Sequence, residues 1–137
     1  MSAENLELVR RWFEGFVGGE LTLEICDPEI EIRNWAEFPI TGPYLGHEGV
    51  RRWWDDIADA FENLQYELLE LIDVGDDRVV TVQRFVGRFR LTGIEVDFVW
   101  GAVVTVREGR IASAIGYPSP GRAKKAAGLT RDAAPDP

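Results

Sequence analysis

Between residues 65 and 117 the sequence holds four segments with apolar, β-branched and aromatic residues, about 65–74, 78–91, 95–107 and 110–117. Only Gly75-Asp76-Asp77, Thr92-Gly93 and Glu108-Gly109 separate them. Such runs bounded by turn residues are the signature of strands. The breaks are too short for a parallel return, which needs roughly a dozen residues or more. The segments are therefore predicted to form an antiparallel meander. Segment 110–117 must lie beside 95–107, because the Glu108-Gly109 turn admits only a hairpin.

Helical signals come before this meander. Leu6, Val9, Phe13, Phe16 and Val17 fall on one stripe, Ser2 can cap it, and Gly18-Gly19 ends it. Leu21, Leu23 and Ile25 predict a second short helix, stopped by Asp27-Pro28. Residues 29–35 read as a strand with Ile30, Ile32 and Asn34 on one face. Glu29, Glu31, Arg33 and Trp35 take the other. A loop with Pro39, Gly42, Pro43 and Gly46 follows. A third helix, about 47–62, turns Val50, Trp53, Trp54, Ile57 and Phe61 inward. Ser119-Pro120 opens a closing helix. This order predicts an α+β fold with helices packed on one face of a curved antiparallel sheet. Residues 1–129 form one domain, and 130–137 read as a flexible tail.

Charge narrows the partners. With 15 Lys and Arg against 24 Asp and Glu, the net charge is −9. Such a chain repels phosphate backbones and anionic membrane surfaces, so neither nucleic acid nor membrane is an expected partner. No apolar run approaches the roughly 20 residues of a membrane helix. Met1 leads directly into a polar helix start, so the expected location is the cytoplasm. One His and one Cys make a zinc site an unfavourable expectation, and no phosphate loop or nucleophile elbow is present. No metal or cofactor is expected. Cys26 reads as a small packed residue, and His47 as a polar residue at a helix start.

The hairpin Val103-Val104-Thr105-Val106-Arg107-Glu108-Gly109-Arg110-Ile111 is followed by Tyr117-Pro118-Ser119 and a closing helix, residues 122–129. Together with the opening helix and Gly46-His47-Glu48-Gly49-Val50, this order resembles the SnoaL-like branch of the nuclear transport factor 2-like superfamily, over about residues 4 to 129. The resemblance implies a curved sheet, a cone-shaped pocket and a homodimer. It does not carry a reaction with it. Related epoxide hydrolases place acids where this chain has Gly116 and Val86. Related ketosteroid isomerases place them near Asn34 and Ala102. Related cyclases use an acid late in the sheet, where Ala114 and Gly116 stand. Epoxide hydrolysis by that acidic machinery is therefore not expected.

With the implied sheet facing the helices, alternation turns Phe98, Trp100, Ala102 and Val104 inward, and likewise Ala112, Ala114 and Gly116. The small trio removes volume from the inner wall. Either neighbouring rings fill that space or a ligand cavity remains. The candidate ligand-binding residues are Trp12, Phe16, Trp54, Phe98, Trp100, Ala102, Ala114 and Gly116. Asn34 either holds a loop at the strand end or donates to a ligand oxygen. On segment 78–91, Val80, Val82, Arg84 and Val86 share one face; Val79, Thr81, Gln83 and Phe85 share the other. The resemblance to epoxide hydrolases puts Arg84 inside, although a slip of one residue reverses the assignment. Asp97 is expected outside, solvated or paired with an arginine.

Two functions fit. One is a cyclase- or isomerase-type enzyme acting on an apolar ring compound of polyketide or terpenoid kind, with Asn34 and Arg84 as candidate catalytic groups polarising a carbonyl. The other is a noncatalytic ligand carrier or assembly module. Phe85, Val99 and Val103, read as outward-facing, supply an apolar patch for the expected homodimer.

Overall fold

A computed structural model describes residues 2–128. The proposed cap by the Ser2 side chain and the tail expected over 130–137 lie outside the described residues. Helix α1 (Ser2–Val17) and a 3-10 turn (Leu23–Ile25) lead into β1 (Cys26–Arg33) and the short β2 (Tyr44–Leu45). Helix α2 (Gly46–Ala60) precedes β3 (Phe61–Gly75), β4 (Arg78–Phe89), β5 (Glu95–Arg107) and β6 (Arg110–Tyr117); α3 (Pro120–Ala126) follows.

The strands form one sheet in the order β2-β1-β6-β5-β4-β3. The α+β architecture and the meander stand as read. β5 and β6 pair antiparallel, with Ala102 opposite Gly116 and Val104 opposite Ala114. One ladder departs from the antiparallel expectation. β1 runs parallel to β6, with Ile32 opposite Ala114, so the sheet is mixed. The long excursion through β2, α2 and the meander is what allows a parallel return.

Two turns are the tight hairpins their residues predict. Asp76 and Asp77 both have positive φ, as do Glu108 and Gly109. Two successive left-handed residues match the right-handed twist of the flanking strands. Other boundaries moved. The second helix shrinks to a single 3-10 turn, and Asp27-Pro28 lies inside β1, where the register with β6 is irregular. Pro28 lacks an N–H to contribute to a ladder and is tolerated at such an irregularity. α2 stops at Ala60, and Phe61 opens β3 instead of ending the helix. Phe61 is buried in either role.

Register decides which face each strand turns to the helices. Across β4 and β5, Thr81 pairs with Ala102, Gln83 with Trp100 and Phe85 with Phe98. Directly opposed residues share a face. Phe85 is fully buried and belongs to the main core with Trp12, Phe13 and Phe16 from α1 and Trp53 from α2. Gln83, Thr81 and Val79 therefore face inward. Arg84 and Val82 face outward, opposite Val99 and Gly101.

The helices do not all lie on one face. α1 and α2 cover the concave side, whereas α3 packs on the opposite side through Ala123 and Ala127 against Val80 and Val103. Gly101 permits this approach, since a Cβ there would stand 2.8 Å from the Ala123 Cβ. Ser119 caps α3 by accepting from the Arg122 N–H at 3.2 Å, with Pro120 in the first turn.

Candidate functional site

The concave side encloses a cavity between α1, α2 and the inner faces of β4, β5 and β6. α1 contributes Trp12, Phe13 and Phe16 and α2 contributes Trp53, because each recurs at helical spacing on the buried stripe. The sheet contributes Thr81, Gln83, Trp100, Ala102, Ala114 and Gly116. Trp35 and Phe38, from the segment after β1, line its edge, with Asn34 beside them. The cavity volume is about 40 Å3. One water occupies roughly 10–15 Å3 on that scale. The space as it stands suits about three waters; a single ring, which fills an apolar cavity of roughly 150 Å3, requires the aromatic walls to yield.

Six of the eight residues read from the sequence as ligand-binding lie on this wall: Trp12, Phe16, Trp100, Ala102, Ala114 and Gly116. Two do not. Trp54 sits behind it, its ring 5.5 Å from those of Phe16 and Trp53. Consecutive helix positions diverge by about 100°, and Trp53 takes the inward one. Phe98 is on the inner face but stacks on Phe85 at 5.3 Å and meets Trp35 edge-on. Ala112 is not on the wall either. A register shift near Ile111 turns that isoleucine into the core in its place.

Arg84 is corrected outright. It lies on the outer face, where Nε and Nη2 donate to the two carboxylate oxygens of Asp97 at 2.9 and 2.7 Å. Asp97's carboxyl is held below its usual range chiefly by that hydrogen bond. Inward placement requires the opposite parity on β4, and the apolar Phe85 and Val79 claim the core side. Arg84 polarises nothing in the cavity.

Asn34 holds the loop. Its Nδ2 donates to the Ile40 carbonyl at 2.9 Å, and its backbone N–H donates to the Thr41 carbonyl at 2.9 Å. Its Oδ1 lies over the Cα of Gly116, where a side chain would collide with it and with Trp100. Gly116 is thus small because neighbouring groups already occupy the space.

The remaining polar groups around the cavity carry no charge. Tyr66 is the one titratable residue of the lining, and burial pushes its phenol far up, keeping it neutral. Gln83 and Thr81 are buried, and Gln83 Nε2 donates to Thr81 Oγ1 at 2.7 Å. Gln83 Oε1 and the indole Nε1 atoms of Trp100 and Trp12 are buried without a hydrogen-bond partner. Trp12 Nε1 lies by the Cys26 sulfur without reaching hydrogen-bond geometry. Burial first, and then the charge of Glu24, push the Cys26 thiol up to about 12 despite the Trp12 indole.

The lining residues that sequence reading missed include Phe13, Trp35, Phe38, Trp53, Tyr66, Thr81 and Gln83. The last two share the parity of Phe85, so the signal was present once the β4 face is known. Strand alternation turns Trp35 outward only if the strand continues past Arg33, and β1 ends there. His47 donates from Nε2 to the Cys26 carbonyl at 2.9 Å, which ties α2 to β1. Tyr44 donates to Asp56 at 2.7 Å, with the Arg52 guanidinium over its ring. Neither lines the cavity. Among the described residues, no helix is long and apolar enough to cross a membrane, and no group of three or more His, Cys, Asp or Glu could hold a metal ion.

A family model described as the SnoaL-like domain matches residues 9–114. No curated protein matches the chain. Among solved structures, an NTF2-like protein from Burkholderia xenovorans LB400 is similar at TM-score 0.77 and 24% identity, covering 90% of this chain and 97% of that one. TerC, co-crystallised with polyporic acid, is similar at TM-score 0.71 and 19% identity, covering 82% and 89%. A protein from Jannaschia sp. CCS1 that carries the name of a SnoaL-like polyketide cyclase is similar at TM-score 0.70 and 19% identity, covering 84% and 85%.

Proposed function

We propose, from the premise that this chain belongs to the SnoaL-like domain family, that it binds a small, neutral, largely apolar ring compound in the cavity between α1, α2 and the sheet. The observation that carries this reading is an aromatic-walled cavity whose lining holds no charged side chain but includes buried polar atoms without partners. Empty apolar space is destabilising, and orphaned polar atoms add to that cost. A ligand offsets both. The co-crystallisation of TerC with polyporic acid supports a small-molecule ligand.

Binding without catalysis is the better supported function. No carboxylate or imidazole lines the cavity to move a proton, and Asn34 cannot act as a base. The second reading is a cyclase- or isomerase-type enzyme for a polyketide- or terpenoid-like ring. The cyclase name of the Jannaschia protein supports it. Its chemistry would be confined to polarisation by neutral donors such as the Trp100 indole N–H. The chain is also proposed to act as a homodimer. Its proposed setting is the cytoplasm, where a lone thiol such as Cys26 stays reduced.

The test is native mass spectrometry of protein purified without added ligand, followed by thermal-shift assays with single-ring compounds. A co-purified neutral mass, or an upward shift that Ala102→Phe abolishes while the variant stays folded, is the expected result. No mass and no shift with any ring compound would sink the pocket reading. Chemical conversion of a bound ring compound would move the conclusion to the enzyme.

A further inference from the structure

The unpartnered polar atoms of the lining residues prescribe more than apolarity. Gln83 and Trp100 stand directly opposite each other on β4 and β5, and both line the space. Gln83 is only 5% exposed. Its Nε2 donates to Thr81 Oγ1, and Oε1 is left as the unsatisfied acceptor. Trp100 supplies an unsatisfied donor, since an indole nitrogen can only donate. A donor and an acceptor on paired residues thus remain buried without satisfying each other.

We propose that the ligand carries a neutral hydroxyl on a ring, a phenol or cyclic alcohol. This rests on the pocket reading above. The hydroxyl oxygen accepts from Trp100 Nε1–H, and the hydroxyl proton is donated to Gln83 Oε1. A hydroxyl is the smallest group that does both at one atom. A carbonyl or ether ligand satisfies Trp100 and leaves Gln83 orphaned. An anionic oxygen meets the Gln83 acceptor with no cation among the lining side chains to compensate it. The neutral environment that raises the Tyr66 phenol's pKa disfavours a bound phenolate for the same reason.

Calorimetric titration with phenol and toluene tests this on the full chain. The two probes share a ring and differ in the hydroxyl. The phenol-to-toluene affinity ratio should fall by about tenfold or more in Gln83→Leu, because a site built to pair a hydroxyl discriminates against its absence. Trp100→Phe should lower it in the same direction. A ratio unchanged by both substitutions overturns the hydroxyl while leaving the pocket standing, and means that the polar pair is satisfied by water alone. Binding of neither probe to the wild-type protein overturns the pocket reading and this inference together. Should the Gln83→Leu variant fail to fold, anisole gives the contrast in the wild-type protein, since it accepts but cannot donate. Phenol binding about tenfold or more tighter than anisole supports the hydroxyl, and equal binding overturns it.

Discussion

At the scale of single residues, the cavity is fixed by what cannot be enlarged. A methyl at Gly116 would meet Trp100 Cζ3 at 3.0 Å and press on Asn34 Oδ1 more closely still. Gly116→Ala must displace Asn34 from its bond to the Ile40 carbonyl or shift the indole. The expected loss is about 1–3 kcal/mol, in the range for overpacking a filled site, and urea denaturation measures it. A neutral effect would mean that Asn34 swings away freely and that the loop after β1 does not depend on it. Cys26 gives a second residue-scale prediction. Folding raises its thiol pKa from 9.0 to about 12, so the unfolded chain loses this proton first. The contribution is complete below about pH 9 and is lost as pH rises toward the folded value. The Tyr44 phenol, raised from 10.0 to about 12 by burial and then by its bond to Asp56, acts in the same direction. Denaturation midpoints should fall on the alkaline side, less steeply in Cys26→Ala. A variant with the wild-type alkaline slope would show that the thiol contributes nothing.

At the scale of elements, the turns were legible and the faces less so. Gly75-Asp76-Asp77 and Glu108-Gly109 announce hairpins through residue chemistry that acts locally, and both formed. The face of β4 could not be read the same way. Its valines alternate on both sides, Val79 against Val80, and both are buried, because α1 lies over one face and α3 over the other. Alternation distinguishes faces only where one of them meets water. The resemblance to epoxide hydrolases then tipped Arg84 inward, against the apolar weight of Phe85. Small wall residues at Ala102, Ala114 and Gly116 were legible because β5 and β6 hold their pairing from Gly101 to Thr105. Ala112 was misplaced by a register shift that no local residue pattern announces. The hairpin between β5 and β6 offers a direct test of turn chemistry. Glu108 occupies a left-handed conformation at φ 52°, which asparagine adopts with less strain. Glu108→Asn, creating an Asn-Gly turn, should raise stability by about 0.5 kcal/mol or more, read from the thermal midpoint. A decrease would mean that the glutamate side chain stabilises the turn in a way its backbone geometry does not reveal.

At the scale of the whole molecule, the outer sheet face decides how the proposed dimer forms. The patch expected there from sequence is largely gone. Phe85 is in the core, and Val103 is buried under α3. What remains open is Val99, 40% exposed, opposite the Arg84 of the Arg84–Asp97 pair. It lies on β5, away from the cluster of Val80, Val103, Ala123 and Ala127. A two-fold contact through this area would bring Val99 against a second copy and leave charged residues at its rim, the commonest arrangement for a closed dimer. Two chains of net charge −9 repel each other, so added salt should strengthen the association by screening that repulsion. Light scattering on the eluted protein should give a dimer at physiological salt, and Val99→Lys a folded monomer. Val103→Lys separates this from a packing defect. A lysine there forces its ammonium under α3, so it should lower the melting temperature, whereas Val99→Lys should leave it near that of the isolated wild-type protomer. A wild-type chain that remains monomeric at high concentration and high salt would remove the dimer and leave Val99 as an ordinary exposed side chain on a charged surface.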